Sequence, residues 1–82
     1  MNANSTQRRV IDLISLKLKV PPSKIFPYTD LRDDLLLDPI DMMLLIADIE
    51  SSFNVFLSNE EVEMIETVGD ATGLINKYAI AA

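Results

Sequence analysis

The chain offers little for catalysis. It holds thirteen Asp and Glu and six serines but neither histidine nor cysteine. Without histidine the usual proton-transfer group at neutral pH is missing, and without cysteine there is no thiolate nucleophile, thiolate metal site or disulfide. Catalysis would then require paired carboxylates in a cleft. The adjacent pairs Asp33-Asp34 and Glu60-Glu61 are expected on exposed helix seams and caps, where they would hold a divalent cation only weakly. Nothing repeats the regular oxygen-ligand spacing of a calcium loop. No catalytic residue and no metal ligand is therefore assigned, and an enzyme is not expected.

The acids matter more through their distribution. Residues 1–32 carry six Lys and Arg against Asp12 and Asp30, whereas Asp33 through Asn76 holds eleven acids and no Lys or Arg. Such a surface repels nucleic acid and anionic lipid and steers toward basic protein surfaces. The same stretch is rich in apolar residues, so it is not a disordered acidic tail. At 82 residues the length suits one domain spanning 1–82. No run reaches the length of a membrane span, and no basic-then-apolar leader opens the chain. These features lead to the expectation of a cytoplasmic protein.

The elements that must position this surface read as helices. Several N-caps occur from Asn2 to Ser5, followed by apolar Val10, Ile11, Ile14 and Leu18 at helical spacing, with Leu13 and Leu16 broadening the stripe. Pro21-Pro22 stops this helix and pushes Val20 out of helical geometry. Residues 21–37 form a long connection pinned by Ile25, Phe26, Leu31 and Leu35. Asp38 as N-cap, Pro39 as first helical residue and Asp41 in the first turn start a helix that runs to about Phe53, with Asn54 as a left-handed stop. Ser58 and Glu61 make a capping box for a short helix to about Ile65, and a last helix follows Gly69-Asp70. Val55-Phe56-Leu57 would be a strand without a partner. The fold class is all-α: three main helices, one short helix and a long first loop.

The second helix has two apolar faces. Steps of 100° place Met42, Leu45, Ile46, Ile49 and Phe53 on one side and Ile40, Met43, Leu44 and Ala47 on the other. Asp41 and Asp48 mark one seam and Glu50 the other. So small a bundle cannot cover both faces. The set with more large groups is assigned to the core, and the Ile40–Ala47 face, edged by acids, is expected to be a partner-binding surface. The candidate docking residues are Asp38, Ile40, Asp41, Met43, Leu44, Ala47, Asp48 and Glu50.

Four blocks of sequence carry a family likeness. Asp34-Leu35-Leu36-Leu37-Asp38-Pro39-Ile40-Asp41-Met42 is similar to the acyl carrier protein signature D-L-G-x-D-S-L-D-x, and Glu50-Ser51-Ser52-Phe53-Asn54-Val55 resembles E-E-E-F-G-V. Leu57-Ser58-Asn59-Glu60-Glu61 resembles I-P-D-E-E, and Ile65 to Ala71 follows I-T-T-V-G-D-A. The blocks keep their register without insertions from about residue 8 to residue 78. The resemblance implies an acyl-carrier-like four-helix bundle. In the family, a serine at the start of the second helix carries 4′-phosphopantetheine, whose thiol holds acyl groups that can tuck between the helices. The acids of that helix meet basic patches on acyl-chain biosynthetic enzymes.

The departures point elsewhere. Pro39 stands at the position of the attachment serine and has no hydroxyl, so no cofactor is expected. Leu36 replaces the glycine before it, and Leu44 stands where the family often has Glu. The resemblance with these departures implies a non-carrying accessory or regulatory protein in fatty acid or polyketide synthesis. Its partners would be basic enzyme surfaces, a true carrier, or a second copy through the second helix. Two alternatives stay open: a carrier using another hydroxyl, such as Ser51 or Thr29, and a helical protein binding lipid non-covalently.

Overall fold

A computed structural model describes residues 3–81. Among them lie four α-helices and no strand: α1 (Ala3–Leu18), α2 (Pro39–Phe53), α3 (Asn59–Glu63) and α4 (Val68–Ala81). The amino-terminal cap at Asn2 lies outside the described residues, and Ser5 is within α1. α1 ends two residues before the proline pair, with Lys19 left-handed at φ 58°. Ser15 Oγ closes this end by donating to the Val20 carbonyl at 2.6 Å.

The core joins α1, α2, α4 and the long loop: Val10 and Ile14 from α1, Leu45 and Ile49 from α2, Val68 and Ile75 from α4, and Ile25 and Leu31 between α1 and α2 are all buried. Each such side chain contributes roughly 1.5–3 kcal/mol by leaving water. Contacts between helices are densest between α1 and α4.

The loop before α2 is ordered by its own side chains. Pro22–Lys24 form a single 3₁₀ turn. Asp30 Oδ1 accepts from the Arg32 and Asp33 amides at 2.9 and 2.8 Å, and Asp34 Oδ2 accepts from the Asp30 amide at 2.8 Å. Asp34 thus builds a turn. Asp30 also pairs with Thr67 in an isolated bridge, which fastens the loop to the start of α4.

Three expectations need correction. Leu16 is 81% exposed and lies off the apolar stripe of α1. Phe26 is not an anchor: it is exposed and stacks on Tyr28 at 5.2 Å between ring centroids, while Leu37 is buried in the core. α4 starts at Val68, earlier than Gly69-Asp70 suggests. The reason is a reciprocal cap in which Asp70 N–H donates to Thr67 Oγ1 at 3.1 Å and Thr67 N–H donates to Asp70 Oδ2 at 3.0 Å. The amides of Glu66 and Thr67 hold the Asp70 carboxyl below its usual pKa.

Candidate docking helix and its groove

α2 begins where three local signals agree. Asp38 is extended (φ −84°, ψ 174°), and its carboxylate accepts from the Asp41 amide at 2.8 Å. The Asp41 carboxylate accepts in return from the Asp38 amide at 3.4 Å. Between them Pro39 fills the first helical position, where its missing N–H costs nothing. At the other end Asn54 takes the left-handed conformation, φ 55°. α2 has no basic residue in its own last turn. α1 supplies one: Arg9 Nη2 donates to the Ser52 carbonyl at 3.0 Å, and its guanidinium lies 4.1 Å from the Phe53 ring centroid. A cation at a helix carboxyl end and over a ring face is favourable on both counts.

The two faces separate as the periodicity requires. Met42, Leu45, Ile46 and Ile49 are buried, while Ile40 is 66%, Met43 68% and Leu44 49% exposed, with Ala47 exposed beside them. Phe53 is only half-buried beneath Arg9.

The acids along this helix have partners within the chain. Asp38 and Asp41 cap the helix start. Asp48 Oδ2 accepts from Lys17 Nζ at 2.7 Å, joining the basic first part of the chain to the acidic second part. Glu50 Oε2 accepts from the Leu57 amide at 2.8 Å and so turns the chain after α2 back along it. What α2 presents outward is therefore mainly apolar, and its carboxylates hold local structure.

That return creates a feature the sequence does not announce. The returning chain and α3 flank α2 across an open groove of about 490 Å³. Met42, Met43, Ile46 and Ala47 line it from α2, and Phe56, Leu57 and Val62 from the returning chain. Pro39 and Glu50 line it from opposite ends of α2, and Arg32 lines it from the preceding loop. Arg32, Phe56 and Val62 escape helical periodicity because they come from three separate segments. The only sequence signal was the apolar run Val55–Leu57, in which Leu57 turns inward and Phe56 stays 83% exposed.

α3 is fixed by one cluster. Ser58 Oγ accepts from the Glu61 amide at 3.1 Å, and Glu61 Oε1 accepts from the Ser58 amide at 2.9 Å. Tyr78 Oη of α4 donates to the same carboxylate at 2.7 Å, with Lys77 Nζ 3.6 Å away. The Ser58 amide, followed by the Tyr78 hydroxyl, lowers the Glu61 pKa to about 2. The hydrogen bond to Glu61 raises that of Tyr78. Among the described residues no three potential metal-ligating side chains come together, and no helix is long and apolar enough to cross a membrane.

The chain is similar to known proteins throughout this architecture. Residues 8–75 match the family model described as the phosphopantetheine attachment site. The acyl carrier protein of Azobacteroides pseudotrichonymphae genomovar. CFP2 is 43% identical over 72 residues, covering 87% of this chain and 85% of that one. That of Thermotoga maritima (strain ATCC 43589 / DSM 3109 / JCM 10099 / NBRC 100826 / MSB8) is 39% identical over 69 residues, covering 84% and 85%. The fold matches a solved structure of the acyl carrier protein from Enterococcus faecalis with a TM-score of 0.79 at 28% identity, over 94% of this chain and 98% of that one. A match of this extent in sequence and in fold places the chain in the acyl carrier protein family.

Proposed function

We propose that this protein is a carrier-shaped docking partner in acyl-chain biosynthesis that does not itself carry a covalently bound acyl group. Membership of the family supports the pathway class. The accessory role rests on one observation: the first helical residue of α2 is Pro39. Phosphopantetheine is joined through a hydroxyl oxygen, and proline offers none. The other hydroxyls on α2, Ser51 and Ser52, lie twelve and thirteen residues further along, roughly 18 Å away at helical rise. Thr29 is buried, and its Oγ1 already accepts from the Phe26 amide at 2.9 Å. The residues present do not fit the cofactor.

The docking surface in this reading is the Ile40–Met43–Leu44–Ala47 face with Asp38, Asp41, Asp48 and Glu50 along it. Its exposure and flexible methionine favour contact with an enzyme's carrier site, a loaded carrier or a second copy. The reading includes no enzymatic activity of its own and a cytoplasmic setting.

Intact mass tests the central claim. Purified protein is incubated with CoA and a broad-specificity phosphopantetheinyl transferase, with a genuine carrier in the same tube. The carrier should gain the cofactor mass and this protein should not. A gain on this protein would overturn the reading.

A further inference from the structure

Docking at α2 leaves two surface features without a use, one in the basic part of the chain and one in the acidic part. The first is Leu16, which stands 81% exposed on α1. Lys19 follows three residues later, just past the helix end, and is exposed as well. Arg8 lies two turns earlier on the same side, where its 3.9 Å contact engages Asp12, the single acid of α1. Among the described residues no carboxylate pairs with Lys19. An apolar side chain thus projects from a basic edge, and nothing in the same copy covers it.

The second feature is an apolar recess of about 320 Å³ where the end of α3 meets α4. Met64, Leu74, Gly69 and Gly73 line it, with Asp70 beside them. Gly73 keeps it open, since a Cβ there would meet nothing within 4 Å. Glu63 and Glu66 stand on either side of Met64 in the chain. Both are exposed, and among the described residues no Lys or Arg pairs with either. The recess has room for one leucine side chain, and its Met64 side is acidic.

We propose that this protein self-associates head to tail, with Leu16 of one copy entering the Met64–Leu74 recess of the next and Lys19 facing Glu63 and Glu66. The two surfaces match in shape and in charge: a knob on a basic edge meets a hollow on an acidic one. The contact is heterologous, because each copy offers the knob on α1 and the recess on α3 and α4. It does not use α2, so it is independent of the docking reading and leaves that face free. One buried leucine and a few rim charges make a weak, transient contact, with a Kd on the order of 0.1–1 mM. The net charge of −6 opposes it further.

Sedimentation equilibrium of the unmodified chain, run up to about 2 mM to bracket that Kd, provides the test. The average mass should rise with concentration and fall back toward the monomer in high salt. Leu16→Glu removes the knob and Gly73→Leu fills the recess, both at exposed helix positions. Each variant alone should associate at least about tenfold more weakly. Mixed in equal amounts, the two should form a one-to-one dimer, because the first keeps its recess and the second its knob. Glu63→Lys with Glu66→Lys alters only exposed side chains and should weaken association without touching either apolar part. The proposal is overturned by a mass that stays monomeric over the whole range, by association that these variants leave unchanged, or by a mixture no heavier than its components.

Discussion

The amide of Gly69 donates to the carbonyl oxygen of Pro27 across 2.7 Å, bringing the first turn of α4 hard against the long loop. A Cβ on Gly69 would stand 3.0 Å from that same oxygen, whereas one on Gly73 would meet nothing within 4 Å. The two glycines should therefore respond with opposite signs. Gly73→Ala is expected to raise stability by roughly 0.5–1 kcal/mol through helix propensity. Gly69→Ala is expected to lower it by about 1 kcal/mol, because a backbone oxygen yields only by moving the loop. Denaturant midpoints would decide. A Gly69→Ala midpoint at or above the parent's would contradict the close approach.

Leu36 has a left-handed backbone, φ 58°, and is 80% exposed. That conformation costs a branched-side-chain residue roughly 1 kcal/mol, and little apolar burial offsets it. Leu36→Asn should raise the melting temperature, since asparagine tolerates the geometry, and Leu36→Val should lower it further below the parent. Equal melting temperatures in all three would remove strain from the account of this loop.

The Glu61 cluster gives α3 an acid-sensitive tether. The folded-state pKa of about 2 lies below the ordinary 4.5, so this carboxylate stabilises the fold fully above about 4.5. The contribution is lost as the pH falls toward 2. Thermal melts between neutral pH and pH 2 should show a shallower acid decline in Glu61→Gln than in the parent, and a lower starting stability. Parallel curves would show that the cluster contributes nothing to the acid response.

Charge on the two faces of α2 should separate binding from folding. Met43→Glu with Leu44→Glu alters exposed positions and is expected to change stability by less than about 1 kcal/mol. Ile49→Ala empties a site only 1% exposed and should cost about 2–5 kcal/mol. The double variant should nonetheless lose association with acyl-chain enzymes in sedimentation across a concentration series. Undiminished association would move the docking surface off α2.

Restoring the hydroxyl is the sharpest test of position 39. Pro39→Ser leaves the Asp38 and Asp41 caps intact and should lower stability by no more than about 1 kcal/mol. It should also accept phosphopantetheine from the transferase, which the parent chain should not. Failure of the variant to load would mean that Leu36 or Leu44 blocks the transferase as well.

Much of the fold is legible in the amino-acid sequence. Asp38, Pro39, Asn54 and the Ser58–Glu61 pair act within one or two turns of chain, so their caps and stops follow from residue type. The buried and exposed faces of α2 follow from its period. Leu16 and Phe26 depart from expectation because hydrophobicity does not reveal whether a neighbour arrives to cover a side chain. The Thr67–Asp70 cap has the same spacing as the one at Ser58, and the more conspicuous Gly69-Asp70 masked it. The groove was illegible for another reason: it exists only where Glu50 catches the Leu57 amide, a contact between a helix side chain and a loop seven residues on. The internal engagement of Asp48 was hidden likewise, since Lys17 comes from α1.

The reciprocal bonds of Asp38 and Asp41 leave position 39 without a structural duty that only one side chain can meet. Folding and chemistry at the head of α2 are thus encoded by different residues. A change at position 39 leaves the contour of the helix start in place and moves stability little, so its main consequence is read by an assay that looks for the attached group. Copies with and without a hydroxyl there would be interchangeable to a partner that reads contour alone, so their relative numbers would set which of them occupies it.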